Sequence, residues 1–352
     1  MRTLWLIPPR AMRFASAEAP EEGLLSCDLA SVRLRAAVAA LEWRRSGNEN
    51  VFCDPAATGG SGRLDWKTAQ VCVVAKYLHD LPLQPWLDAC RAAKSNGCGL
   101  VIDICDNPFT KPPPVPTFYS EALRACDAVV VNSQRMGELM AAHAAHHPLI
   151  IEDAILGSMR TPEFAPADRV ELLWFGHRIN LPYLEERLAD LLRFSARRRV
   201  RLTVVTQDDA GAREWTEGIQ SLRVAGFVAR FVPWSLESLR TALRQCDIVL
   251  IPSDPSDPLK AGASANRIAE ALNAGRFPVA SPIPSYLAFR DAAWLGQDLV
   301  AGITWALANR AEVLARIRRG QALIRERLAA DQVGRQWREL LGSLVASPIR
   351  SL

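Results

Sequence analysis

CDIVLIPSDPSDPLKAGASANRIAEALNAGRFPVAS, residues 246–281, carries the fold in one stretch. Its apolar run DIVLIPS (247–253) reads as a buried strand. A polar, Pro-containing loop follows, then a turn of small residues, Gly262-Ala263-Ser264. ANRIAEALNAG (265–275) is a helix, closed by Gly275 at the position just past its end where glycine is favoured. FPVAS (277–281) is the next strand. Strand, helix and strand in succession belong to a parallel sheet wrapped by helices.

Outward from this stretch the same alternation repeats. Strands are expected at 3–7, 50–54, 70–78, 99–106, 127–133 and 148–155, then at 170–176, 200–206 and 228–233. Helices are expected at 31–45, 84–95, 117–126, from Gln134 with Ser133 as cap, at 181–197, and at 235–246 with Ser235 as cap. ATGGSGR (57–63) reads as a Gly-rich loop. Residues 157–168, GSMRTPEFAPAD, have two prolines and no periodicity, which marks a boundary. The expected fold class is therefore α/β, with two doubly wound, Rossmann-like parallel-sheet domains facing a cleft. The domains are 1–156 and 169–325, and 326–352 forms a closing helix and tail.

Composition narrows the function classes. The 352 residues are 49% hydrophobic and 23% charged, which suits a globular chain with more than one core. A formal net charge of +4 is too mild to argue for nucleic acid. Arg197-Arg198-Arg199, with Arg193 and Arg201, lacks aromatic interleaving and reads as a solvated turn at a helix C-terminus. The eight cysteines have no CxxC or zinc-ligand spacing and read as reduced core thiols in a cytoplasmic protein. MRTLWLIPPR is too short an apolar run for a signal segment or a membrane span. The arginines of the last helices, Arg316, Arg318, Arg319, Arg325 and Arg327, are mixed with acids. They leave open a peripheral contact with an anionic membrane face.

The 246–281 stretch also carries chemistry. Gly262, Ala263 and Ser264 let a ligand approach the backbone. Free N–H groups at the start of the helix suit an anion such as a diphosphate. Lys260 and Arg267 add positive charge. Glu270 shares a helix face with Arg267 and can accept from two vicinal hydroxyls, as on a ribose. A plain surface ion pair between Arg267 and Glu270 would leave the same pattern.

Glu270, Ala271, Gly275, Pro278 and Val279 resemble the Glu-Ala, Gly and Pro-Val series of the donor site in GT-B-fold glycosyltransferases of family 1/4-like, polysaccharide type. The resemblance assigns the donor ribose to Glu270. Many retaining members carry a second glutamate two turns earlier, where this chain has Lys260–Ala263. Ser264-Ala265-Asn266-Arg267 is instead similar to a Ser-x-Asn-Lys/Arg variant. LLWFGHRINLPYL (172–184) resembles the strand and loop that reach the donor phosphates, which brings in Gly176, His177, Arg178 and Asn180. CDAVVVNS (126–133) and IEDAI (151–155) resemble segments ahead of the interdomain linker. QVGRQWRELLGSL (332–344) resembles the helix that crosses back onto the first domain.

The resemblance implies transfer of a sugar from a nucleotide-diphosphate sugar to a glycan, lipid-linked or small-molecule acceptor. It implies no separate cofactor and no metal. Asp254 and Asp257 read as part of a Pro-rich loop. The expected donor-binding residues are Gly176, Arg178, Lys260, Ser264, Asn266, Arg267 and Glu270. Asp106 and His177 are the catalytic candidates. Asp106 ends a strand, as a base should, although Asp-Asn-Pro is also a turn initiator. Lys76, His79, Asp103 and Asn107 are further acceptor-side candidates. Ser31-Val32-Arg33-Leu34-Arg35 reads either as a helix start facing the cleft or as a solvated helix face. A non-catalytic nucleotide-sugar-binding subunit and a nucleotide-sugar epimerase remain the alternatives.

Overall fold

A computed structural model describes residues 1–57 and 65–346. All of ATGGSGR except Ala57 lies outside them. The chain divides into two compact units. The first comprises Met1–Leu156, Gly262–Ser264 and Arg327–Leu352, and the second Gly157–Ala261 and Ala265–Glu326.

The first unit holds a six-stranded sheet of β1 (Arg2–Leu6), β2 (Glu49–Cys53), β3 (Val71–Val74), β4 (Gly99–Ile104), β5 (Ala128–Val131) and β6 (Leu149–Ile150). The order is β2-β1-β3-β4-β5-β6, and every neighbouring pair is parallel. β3, β4 and β5 are buried throughout because both sheet faces are covered. Successive side chains serve opposite cores: Cys72 and Val74 join one, Val71 and Val73 the other.

Two expected strands are shorter than their apolar runs. The run 70–78 stays apolar past β3 because Ala75 and Tyr77 are buried in loop structure, with Tyr77 stacked on Phe118. The run 148–155 leaves the sheet after Ile150 for an ion cluster. There Arg35, fully buried, donates twice to Asp103 through Nε (both 2.9 Å) and once through Nη2 (2.7 Å). Its Nη1 donates to Asp153 and to the Ile151 carbonyl, each at 2.7 Å. Arg33 is buried too, and donates to the Cys27 carbonyl at 2.5 Å.

This overturns the solvated-face reading of Ser31–Arg35. Residues Val32–Ala36 form a π-helical turn ahead of the helix Ala37–Arg45. Regular helical spacing would put Arg33 and Arg35 on opposite sides. Asp103 is likewise corrected: it is enclosed with Arg35, not presented to an acceptor.

The helix Ala330–Ala346 packs on Ala37–Arg45 and completes the core on that face with Val333, Trp337 and Leu341. Trp337 meets Trp5 edge-on at 6.2 Å, and Arg338 pairs with Glu42 at 2.9 Å. A β-carbon on Gly334 would sit 2.8 Å from that of Glu42, so the helices cross where only glycine fits.

The second unit's sheet consists of β7 (Arg169–Phe175), β8 (Arg199–Thr206), β9 (Phe227–Pro233), β10 (Ile248–Ile251), β11 (Phe277–Ala280) and β12 (Trp294–Leu295). Its order is β12-β11-β10-β7-β8-β9, again all parallel. This is the doubly wound Rossmann order. Residues 157–168, expected as a linker, lie against this unit. Arg160 and Glu163 amides donate to the carbonyls of Asn273 and Gly275. Gly275 has φ +74°, and a β-carbon there would be 2.3 Å from the Thr161 carbonyl oxygen. The two-residue β12 and the helix Ala210–Ser221 were not expected. The helix expected at 181–197 is broken into Leu181–Glu185 and Leu188–Ser195.

Replacing Arg35 by Met should destabilise the chain by about 3–5 kcal/mol, since two buried carboxylates lose their partner. Burial raises the Asp103 pKa above the unfolded value even beside Arg35, so the variant's stability is present at low pH and lost as pH rises through the folded pKa. Denaturant unfolding at pH 4.5 and 7.5 checks this. A deficit that does not grow with pH would refute the uncompensated-charge account.

Candidate functional site

The chain leaves β7 for β8 and β9 on one side, then returns at β10 to build outward on the other. β7 and β10 are therefore neighbours at the point where strand order reverses. In such sheets ligands bind beyond the carboxyl ends of these strands. Here those ends lead into Gly176–Asn180 and into the loop toward Lys260.

Gly176 is anchored on β8. Its amide donates to the Val205 carbonyl at 3.2 Å, and its carbonyl accepts from the Thr206 hydroxyl at 2.8 Å. A β-carbon on Gly176 would lie 3.5 Å from Arg267 Nη1, 3.7 Å from Asn180 Nδ2 and 3.7 Å from the Trp174 ring. One small volume is thus walled by all three. Lys260 donates to Asn180 Oδ1, and its ammonium is 5.0 Å from the centre of the Tyr183 ring. The Tyr183 hydroxyl donates to Asp257. Burial, with that carboxylate, pushes the phenol above its usual range.

Arg267 Nη1 is buried and has no hydrogen-bond partner, and no ion pair joins Arg267 to Glu270 among the described residues. The surface-pair reading of those two residues is therefore replaced. A buried donor left unmatched costs about 1–3 kcal/mol, more when charged, and an anion accepting there would remove that cost. Arg267 sits in the first turn of the helix Asn266–Asn273, which has Ala265 at its N-cap and no side-chain cap bond. Ser133, Asp209, Ser235 and Asp298 do cap their helices. The leading amides of Asn266–Asn273 therefore depend on something other than a cap.

The structure thus brings Gly176, Lys260 and Arg267 together, with Asn180 between them. Glu270 lies one helical turn beyond Arg267. Ser264 belongs to the Gly262–Ser264 turn, which groups with the first unit. Arg178 is engaged elsewhere, its Nε 2.8 Å from Asp209. His177 is exposed, and its Nδ1 accepts from the Ile179 amide at 3.3 Å, which puts the ring proton on Nε2.

Two residues escaped the sequence reading. Ser253, past β10, is 2% exposed, and Ser285 lies past β11. Both have a buried hydroxyl oxygen without a partner. Serines in Pro-containing loops give no pattern to notice; only their place after strands hinted at them.

In the first unit, Lys76 Nζ is 2.6 Å from Asp106 and 3.4 Å from Cys105 Sγ. Lys76 holds the half-exposed Asp106 carboxyl well below the usual carboxylate range. Burial pushes the Cys105 thiol up to about 12. Asn107 does serve the turn, accepting from the Phe109 amide at 3.0 Å, and His79 is exposed. Asp254 is also a loop residue, accepting from Ser256. Among the described residues no three His, Cys, Asp or Glu side chains group as metal ligands. No helix among them is long and apolar enough to cross a membrane.

No family profile and no curated protein matches the sequence. Solved structures do match its fold. Anabaena Alr3699/HepE in complex with UDP-glucose superposes with a TM-score of 0.66 at 14% identity, over 97% of this chain and 100% of that one. A glycosyltransferase from Rickettsia africae ESF-5 gives 0.64 at 11%, over 98% and 99%. A protein described as trehalose-6-phosphate from E. coli, bound with UDP-2-fluoro glucose, gives 0.62 at 11%, over 99% of both chains. The chain has the GT-B glycosyltransferase fold.

The Lys76–Asp106 pair makes a pH prediction. A depressed carboxyl pKa stabilises the fold above the unfolded value of about 3.9, and this is lost as pH falls toward the folded pKa. Carbon-13 NMR should find Asp106 still ionised at pH 3, and titrating near or above about 3.9 in Lys76→Met. A native midpoint near 3.9 would mean that the pair does not form in solution.

Proposed function

We propose that the chain transfers a sugar from a nucleoside-diphosphate sugar to an acceptor hydroxyl, with the nucleotide held by the second unit. The observation that supports this most is the buried, unpartnered Nη1 of Arg267 beside Gly176, where the strand order reverses. It occurs in a fold shared with proteins solved with UDP or UDP-sugars, so uridine is the base to test first.

In this reading the diphosphate accepts from Arg267, Lys260 and the leading amides of Asn266–Asn273, while Glu270 accepts from the ribose hydroxyls. Ser264 and Asn266 border the phosphates, and Gly176 keeps the space open for them. During transfer the bond between the anomeric carbon and the β-phosphate oxygen breaks. The acceptor oxygen bonds to that carbon and its proton passes to a base. Negative charge grows on the departing diphosphate, where fixed positive groups lower the barrier. Removing one such donor commonly costs about 10²–10³ in kcat. The acceptor is a glycan, lipid-linked or small-molecule hydroxyl of polysaccharide or glycoconjugate synthesis. No cofactor and no metal is needed in this scheme.

Thermal unfolding with uridine, UDP and UDP-sugars, in EDTA and in magnesium, tests the proposal. UDP at about a hundred times its Kd should add about 2.7 kcal/mol of stability in either buffer. Glu270→Ala should lose roughly 1.5–3 kcal/mol of UDP affinity and bind 2′-deoxy-UDP about equally well. Arg267→Gln should weaken UDP far more than uridine. Equal losses for both ligands in both variants would mean only that the helix is damaged. Release of free UDP from a UDP-sugar in the presence of acceptor supports transfer. An altered sugar still bound to UDP would instead mean epimerisation, and binding without turnover a carrier subunit.

A further inference from the structure

The second unit has another concavity, of about 300 Å³, away from the loops beyond β7, β10 and β11. It opens at the amino-terminal ends of β7 and β8, among Phe164, Pro166, Phe194, Arg198, Leu307 and Arg310. Its lining is polar and apolar in about equal parts: phenylalanine, proline and leucine side chains supply the apolar share, and two guanidiniums supply charge.

The arginines are the informative part. Arg198 donates through Nη2 to the Ala167 carbonyl, which pins the side chain in the wall, and its Nε is buried without a partner. Neither Arg198 nor Arg310 forms an ion pair among the described residues. Nearby Arg193, Arg201 and Arg316 are paired with Asp190, Glu171 and Glu312. Arg197 and Arg199 flank Arg198 in sequence, and both are exposed. Like charges around one hollow repel, and an anion seated among them relieves that repulsion.

We propose that this groove binds a small organic anion, a phosphate or carboxylate carried on an aromatic or aliphatic body. Arg198 and Arg310 take the anionic head, and Phe194 and Leu307 take the apolar part. The hollow pairs an apolar share with a cationic share, which suits a small molecule that carries both an apolar body and an anionic head. The site is independent of the nucleotide reading.

The test uses phenyl phosphate, titrated calorimetrically at low salt into the full chain carrying Arg267→Gln, so that the loops beyond β7 and β10 offer the probe little. One saturable site is expected, at least about tenfold tighter for phenyl phosphate than for inorganic phosphate or phenol. Adding Arg310→Gln should weaken it by about tenfold or more, the scale of one charge-assisted hydrogen bond. Arg310 is exposed, so this variant should keep the parent's circular dichroism and melting temperature; Arg198→Gln, which also loosens the Ala167 contact, is the second variant. Phe194→Ser should erase the preference for phenyl phosphate while leaving inorganic phosphate unchanged. The proposal is overturned by an absence of saturable binding, or by an affinity indifferent to Arg310 and Phe194. Binding to phosphatidylglycerol vesicles without binding of phenyl phosphate would also overturn it, and would make this face a membrane contact.

Discussion

A guanidinium removed from water is the constraint around which the first unit is organised. Arg35 has no exposed surface, and it meets two carboxylates and a carbonyl in return. Those partners come from β4 and from the segment after β6, while the Trp337 ring lies 5.8 Å from the guanidinium carbon. Widely separated parts of the chain must be in place before that charge is satisfied. An apolar trio of equal volume would often be as stable or more so. What the cluster adds is a penalty on any arrangement in which one partner is missing.

The second unit treats charge in the opposite way. On the segments that follow β10 and β11, the Arg267 guanidinium and the Ser253 and Ser285 hydroxyls keep buried polar atoms without partners. Buried polar groups are nearly always matched, so a buried cationic nitrogen without a partner needs a cause. Strand order supplies the place, because β7 and β10 send their following loops apart and leave room between them. Gly176 keeps that room open beside Arg267. The Asn180 amide links Lys260 to the same wall, and both cations are half-buried there.

Much of this was legible in the sequence, and the limits have physical reasons. The central strands announced themselves because a strand covered on both faces must be apolar end to end, as VCVV and IVLI are. β12 did not, since two half-buried residues make no period. Burial in loops looks the same as burial in strands, which is why Ala75 to Tyr77 read as sheet. Gly275 was visible as a helix stop, but its closeness to Thr161 was not, because that contact spans more than a hundred residues. The resemblance marked the helix that carries Arg267 and Glu270. It could not separate a matched pair from an unmatched guanidinium, since that depends on where each side chain turns. Arg33 and Arg35 show the same limit: a π turn changes which residues share a face, and no residue pattern reports it.

The fate of Asp106 bears on how the proposed chemistry would divide its labour. Its carboxylate was read as a base from its place at the end of β4, and Lys76 stabilises it as an anion. A carboxylate held well below its usual pKa is a poor proton acceptor, because catalytic efficiency follows basicity. A base so weakened contributes little to the proposed scheme. The barrier must then fall mainly through the leaving group, where Arg267, Lys260 and the helix amides would neutralise growing charge on the diphosphate. That division asks little of a base and much of fixed positive charge. Fixed charge is most effective where its donors have no other partner to give up, and the unmatched Nη1 of Arg267 meets that condition.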